Sequence, residues 1–282
     1  MLKVFGFVRR HEDLTHDEYR AAHVGYHNSF GRRLNNIRGY VLNVRANAPI
    51  ASTLGALAAD ITRNEPAAFD DLWDGWGQLL FDSLDHYLAA KTPARDKPGP
   101  NGLEEDARVA AVGGDGPFLY GGSPFQFMVR EHVAMPVRRP ERKLFKLVQF
   151  VRRHPDLPDA LFESYVTGRY AARLVALPGL RGAIMNFRTP LDVMSRFFEP
   201  EAQGFTKEGV AEREHFYSAW DCITELWFDR APQFVAARGA PAHKSALDLL
   251  EPTLFSSVWY REVDETVVVN PNRAPAPEFY FR

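Results

Sequence analysis

His23 and His27 stand four residues apart and are the side chains of this sequence best suited to chemistry near neutral pH. An unperturbed imidazole titrates near pH 6.5, so a neutral ring can take a proton from a substrate and a charged one can return it. Of the two, His27 reads as the general base. His23 falls in the middle of the apolar stripe Tyr19, Ala22, Tyr26, Phe30, Leu34, which makes it a core histidine or a wall of the substrate pocket. The i, i+4 spacing also suits zinc, but a third ligand is missing nearby, and only Glu131-His132, far along the chain, offers one; no metal is expected. Glu225 is a candidate acid or base. His215, in a Phe-rich stretch, is a second catalytic candidate. The Arg9 guanidinium is suited to hold a carboxylate or phenolate. Phe7, Trp76 and Trp227 are aromatic surfaces for a flat apolar ligand, with Gln78 as a polar contact among them.

These residues are arranged twice. Phe-Val-Arg-Arg-His-Glu-Asp-Leu at 7–14 returns as Phe-Val-Arg-Arg-His-Pro-Asp-Leu at 150–157, and the register holds at an offset of 143, with 14 identities in the 43 positions from 3 to 45. On that register His27 answers to Tyr170 and His23 to Val166, while Gln78 and Glu225 occupy matching places in the third strands. The copies have diverged where the chemistry is expected, which points to one competent pocket in the first half, with Tyr170 as a polar partner. Trp73-Asp74 and Trp220-Asp221 match as well. The boundary falls near 140, in Pro-Val-Arg-Arg-Pro, giving a first domain over 1–140 and a second over 141–282.

Each copy needs the same elements to position these residues. A β-rich run over 3–8 (144–151 in the second copy) is followed by a helix opened by Thr15-His-Asp-Glu18, the form of a capping box. A strand over 39–45, a third over 75–81, a helix near 83–91 and a last strand over 125–134 complete the order β-α-β-β-α-β. Each sheet then has helices on one face only, and the two copies can cover each other's bare face. Strand alternation sends Phe5, Phe7 and Arg9 to one face and Val4, Gly6 and Val8 to the other; which of them turns inward is open. The paired arginines 9–10 and 152–153 read as a solvated corner bridged to Asp13 and Asp156. The Gly/Pro-rich stretch 93–124 and the Phe-rich stretch 189–217 read as lids or pocket walls, and the tail from 270 as an extension over a neighbour.

With 34 basic and 36 acidic side chains the net charge is −2, which argues against a nucleic-acid or anionic-membrane partner. No apolar run approaches the length of a bilayer span, and the N-terminus becomes charged too early for a signal peptide. The single cysteine, Cys222, rules out an internal disulfide framework and fits a cytoplasmic protein.

A strand ending Phe-Val-Arg-Arg-His, a helix of the form Asp-Glu-Tyr-x7-His and a strand ending Leu-x-Phe-Asp together resemble the EthD family of the dimeric α+β barrel superfamily. The resemblance covers roughly 2–135 and 144–268. It implies an α+β chain of two tandem ferredoxin-like domains whose antiparallel sheets close a pseudo-dimeric barrel, as a monomer or homodimer. The family's helix presents a His followed by Gly-Pro; here His27 is followed by Asn28-Ser29. The implied activity is that of a cofactor-independent enzyme acting by acid–base chemistry on a hydrophobic aromatic or polyketide-like small molecule. A lyase or dehydratase step is favoured, with a cofactor-independent monooxygenase or a non-catalytic binding protein as alternatives. Distant relatives bind haem, for which His215 or His243 would have to supply the axial ligand.

Overall fold

The computed structural model describes residues 1–32, 34–90, 116–140, 142–196 and 200–271. Most of the Gly/Pro-rich insertion, Phe197-Phe198 and the tail beyond 271 lie outside the described residues. Eight strands form one closed antiparallel barrel: β1 (Leu2–Val8), β2 (Gly39–Arg45), β3 (Gly75–Phe81), β4 (Phe125–Met135), β5 (Phe145–Arg153), β6 (Leu180–Asp192), β7 (Cys222–Phe228) and β8 (Phe255–Val269). Around the ring the order is β1-β3-β2-β8-β5-β7-β6-β4. Read by halves this is β4-β1-β3-β2 and β8-β5-β7-β6, the same order in each. The half-sheets do not merely face each other. They are hydrogen-bonded edge to edge at two seams, β2 with β8 and β4 with β6, so no barrel strand is left with an open edge.

Helices pack outside. Thr15 caps α1 (His16–Ala21) through the expected capping box with Glu18. The continuous helix expected after it is interrupted by a π-helical turn, Ala22–His27, before α2 (Asn28–Gly31). The second half repeats the device: α7 (Asp159–Tyr165) passes into a π-helical turn, Val166–Tyr170, and then α8 (Ala171–Val175). Short helices α3 (Ile50–Leu54) and α4 (Leu57–Ile61) precede β3, α5 (Leu84–Ala89) follows it, and α6 (Gly116–Leu119) leads into β4. The stretch 189–217 is not a loop. β6 runs to Asp192, and α9 (Lys207–Ala219) starts where the Thr206 hydroxyl accepts the Gly209 N–H. Helices α10 (Ala231–Gly239) and α11 (Pro241–Leu254) lead into β8.

The repeated Arg-Arg-His corner makes the same contacts twice. The backbone N–H of Arg10 donates to Asp74 (2.9 Å) and that of Arg153 to Asp221 (2.8 Å). Asp13 and Asp156 instead sit beside His11 and His154, at 3.5 and 3.7 Å, while the Arg10 side chain bridges to Asp74 (2.6 Å) and that of Arg153 to Asp159 (2.8 Å).

Alternation fills the barrel from both half-sheets. One end is an aromatic plug: Phe7 stacks on Trp76 (5.1 Å) and Phe150 on Trp259 (5.3 Å), with Phe69, Phe127 and Phe216 packed against them. The other end is charged. Glu225, fully buried, accepts from Lys3 (3.0 Å) and Asn186 (2.9 Å) on one oxygen and from Gln78 (2.7 Å) and Lys146 (2.5 Å) on the other. Lys146 also reaches Asn43 (2.7 Å) and Glu265 (2.9 Å), and Lys3 reaches Glu131 (2.8 Å). Burial alone would raise the Glu225 pKa, but Lys146 and Lys3 hold the carboxyl far below its ordinary range.

A buried carboxylate with a depressed pKa contributes stability above the unfolded value near 4.5 and loses it as pH falls toward the folded one. Denaturant midpoints are therefore expected to fall as pH drops below about 5. Glu225→Ala, which strands two buried ammonium groups, should cost about 3–5 kcal/mol in urea unfolding at pH 7. An unchanged midpoint in the variant would remove the network from the account of stability.

Candidate functional site: the cleft under the first helix

The first half-sheet carries glycine at the centre of its outer face. Gly6 on β1 and Gly77 on β3 are directly paired, and these are the two central strands of β4-β1-β3-β2. The paired residues at the matching place of the second half are Gln149 and Thr224. The difference is visible in solvent access: Gln149 and Thr224 are buried, whereas Gly6 and Gly77 are only half-buried, although a helix layer lies over them. The atoms nearest a Cβ built on Gly6 belong to Gln126, and those nearest one on Gly77 to Tyr40 and Leu42, all on the neighbouring strands β4 and β2. Glycine in a strand interior commonly marks such an approach of another group.

The roof is α1, its π-helical turn and α2. Tyr19 is pinned over Gly75, where an added Cβ would meet the Tyr19 hydroxyl at 2.7 Å, and Gly31 is pinned against the Tyr40 ring. The stretch from 23 to 27 crosses between these anchors. An i→i+5 turn advances less per residue than an α-helix, so residues four apart come almost into line. Tyr19, His23 and His27 accordingly form a column of stacked rings, with centroids 5.1 and 5.3 Å apart and interplanar angles of 17° and 10°. Tyr120, at the end of α6, stands edge-on to both histidines at 6.0 and 5.4 Å.

His23 is buried. Its Nδ1 lies 3.2 Å from the Tyr120 hydroxyl, and its Nε2 has no partner; neither has the buried Tyr19 hydroxyl. Burial first, and the neighbouring His27 second, push the His23 pKa well below 6.5, so the ring is neutral at physiological pH. With Tyr120 donating to Nδ1, the bare Nε2 would carry the proton; with the other tautomer it is a bare lone pair. Two orphaned polar atoms in one buried layer are what a bound ligand would satisfy. The parallel rings do not converge their nitrogens on one point, and among the described residues no group of three His, Cys, Asp or Glu is placed to hold a metal ion.

The residues singled out in the sequence are divided by the sheet. His27 is half-buried on the outer column with His23. Glu225, Gln78, Trp227, Phe7 and Trp76 all point into the barrel, on the opposite face, and none can reach His27. Glu225 is a clamped anion, and Trp227 lies against Lys146 (4.6 Å) and donates to Glu265 (3.1 Å). Tyr170 is in the outer layer of the second half, where it accepts from Gln149 (2.6 Å), donates to Glu251 (3.0 Å) and is sealed by the Phe255 ring at 5.0 Å. Arg9 is at the barrel mouth, donating to the Gly121 carbonyl (3.1 Å) and facing Glu212 (3.6 Å). His215 is exposed on α9 rather than in a lid, and His243 lies on α11. Tyr19, Tyr120, Gly6 and Gly77 were not singled out; aligning the halves exposes the glycine pair against Gln149 and Thr224.

No protein-family model matches the chain, and no curated protein matches it. Solved structures do. A protein of Fusobacterium nucleatum subsp. nucleatum ATCC 25586, provisionally named a monooxygenase, is 9% identical, with 94% of this chain and 92% of that one covered at a TM-score of 0.53. An anthrone oxidase-like protein (9% identity, 98% and 96% covered) and a protein of Lactobacillus acidophilus NCFM, also provisionally named a monooxygenase (8%, 94% and 94%), give 0.49 and 0.47. At such identities the likeness is one of fold. The chain is an α+β protein with a closed eight-stranded antiparallel barrel, and its fold is similar to that of the Fusobacterium protein. No helix among the described residues is long and apolar enough to cross a membrane.

The column makes a prediction that needs no substrate. In long-range 1H–15N spectra His23 should remain neutral as pH falls through 6.5 and titrate only well below it, and His27→Ala should move that titration upward. A His23 ring that charges at or above 6.5 in the wild type would contradict the buried geometry.

Proposed function

We propose that the chain is a tandem of two ferredoxin-like repeats of the EthD type, and that its first half is a cofactor-independent monooxygenase for an apolar aromatic or polyketide-like small molecule. The observation that carries this reading is the half-buried glycine pair in the centre of the sheet, together with the buried, unpartnered Nε2 of a neutral histidine on the helix that follows β1. A flat, apolar substrate fits between a glycine floor edged by Gln126, Tyr40 and Leu42 and a roof of stacked rings. His23 is then the base. In that role the Nδ1–H donates to the Tyr120 oxygen, which leaves the Nε2 lone pair to take a proton; burial first and the half-buried His27, the base expected from the sequence, second keep His23 uncharged.

The chemistry suited to this cleft starts at an acidic C–H, such as a methylene between aromatic rings. His23 takes one proton; the electron pair left on carbon reduces dioxygen and forms the new C–O bond, and the peroxide oxygen takes the proton back. Loss of the second C–H proton with cleavage of O–O then gives a ketone and water, so that R–CH2–R′ and O2 yield R–CO–R′ and H2O. The Fusobacterium protein's name supports oxygenation over the dehydratase step favoured from sequence alone.

The test is oxygen uptake by the purified full chain with a panel of anthrone-type methylene compounds. One ketone and one water per dioxygen are expected, with kcat/KM level through neutral pH and falling only well below 6.5, where His23 charges. His23→Gln should lower kcat/KM by about 100-fold or more. Gly6→Gln, which installs the second half's own residue in the floor, should do the same with little change in melting temperature. Conversion without oxygen uptake would establish a lyase instead, and tight binding without turnover would establish a carrier.

A further inference from the structure

The Tyr19 hydroxyl lies on the outer face of the first half-sheet. A Cβ added at Gly75 would meet that hydroxyl at 2.7 Å and the Asn43 carbonyl at 2.6 Å. Gly77 follows about 7 Å along the same face of β3. On β1, Val8 pairs with Gly75 and Gly6 with Gly77. Gly75 and Val8 are buried, whereas Gly77 and Gly6 are half-buried, so the floor that solvent reaches ends at Tyr19. Tyr19 is fully buried, and its hydroxyl has no hydrogen-bond partner among the described residues. The second half shows that the fold does not need this oxygen. Phe162 answers to Tyr19 at the offset of 143, and Cys222 pairs with Val151 as Gly75 pairs with Val8. Phe162 and Cys222 are buried in one apolar cluster. There the ring has no oxygen and the strand has a side chain. Here the strand gives up its side chain, and the ring carries a donor that nothing accepts.

Burial first and the Asp74 charge second push the Tyr19 pKa well above its ordinary value, so the group stays a neutral O–H donor at physiological pH. Its ring stacks on His23 at 5.1 Å, and the His23 Nε2 is unpartnered too. A base that takes a proton from carbon works best when a second group receives the charge left behind. In a fused-ring ketone whose acidic methylene is conjugated with the carbonyl, that charge collects on the carbonyl oxygen. We propose that the Tyr19 hydroxyl donates to the carbonyl oxygen of such a ketone while His23 takes the proton from its methylene. This rests on His23 being the base, and it narrows the substrate class to ketones with an oxygen at the Tyr19 end of the cleft. In the step the C–H bond breaks and its proton goes to His23 Nε2. The electron pair spreads through the rings onto the carbonyl oxygen, Tyr19 keeps its own proton, and dioxygen then accepts the pair at carbon. The hydrogen bond is stronger to the anion than to the ketone, so it favours the transition state.

Xanthone, a flat tricyclic ketone without an acidic C–H, tests the contact in the full chain without turnover. On binding, its carbonyl stretch in infrared difference spectra is expected to fall below its value in an apolar solvent. Tyr19→Phe should remove that fall and weaken xanthone about ten-fold, the loss of one hydrogen bond. His23→Gln should keep the fall, which separates the two residues. With anthrone, Tyr19→Phe should lower kcat about 100-fold and change KM far less. Its melting temperature should equal or exceed that of the wild type, because deleting an unpartnered hydroxyl strands no other group. A lower melting temperature would make the hydroxyl a structural donor and overturn the assignment. So would xanthone that fails to bind, or that binds with its carbonyl band unshifted in the wild type. A shifted band without oxygen uptake from anthrone would uphold Tyr19 as the carbonyl donor and remove only the oxygenase reading.

Discussion

Glu225 is bonded by both halves of the molecule at once: by Lys3 and Gln78 from the first and by Lys146 and Asn186 from the second. A carboxylate withdrawn this far from water is tolerated only when every lone pair is taken and every neighbouring charge is paired. Here that condition can be met only in one register. Slipping either half-sheet by one residue turns Lys3 or Lys146 to the helix side and leaves the others unpaired. The charge cluster therefore sets how β2 meets β8 and β4 meets β6, and it leaves the aromatic plug to fill what remains. The interior is thus occupied by the protein's own side chains over the described residues, and binding space has to be found outside the sheet or at its mouth.

Two halves with one strand order and one corner geometry have used that outer space differently. In the second, Gln149 joins Tyr170 to Tyr260, Glu251 accepts from Tyr170, and Phe255 closes over the ring. In the first, the same depth of sheet is bare glycine, and the Tyr19 hydroxyl and His23 Nε2 of the outer layer are without partners. The π-helical turn is present in both, so the turn by itself does not make a site. It lines up residues four apart, and their identity decides whether the result is Tyr19, His23 and His27 or Phe162, Val166 and Tyr170.

Much of this could be read from the residues. The strands at 39–45 and 75–81 and the capping box at Thr15 appear where their local patterns place them, because turn chemistry and alternation are short-range signals. The face of each strand was not readable, since both faces of this sheet are apolar: Val4 and Val8 look no more or less inward than Phe5 and Phe7. For that reason Glu225, Gln78 and Trp227 were grouped with His27 although a sheet separates them. The π-helical turn was invisible too, as Ala22–His27 keeps the apolar spacing of an ordinary helix. Tyr120 reaches His23 only through tertiary packing across 97 residues.

The interior and the cleft are nevertheless mechanically one thing, because they are opposite faces of the same six residues. Gly6 lies between Phe5 and Phe7, and Gly77 between Trp76 and Gln78. Two facing glycines in central strands cost about 0.5–1 kcal/mol each relative to alanine and loosen the backbone where a substrate floor must be flat. Their inward neighbours offset this: Phe7 and Trp76 are stacked in the plug, and Gln78 is tied to Glu225. In the second half the corresponding outer positions carry Gln149 and Thr224 and need no such support. A hollow on one face of a sheet is stable to the extent that the other face is rigid, and here the rigid face is the one that no ligand has to enter.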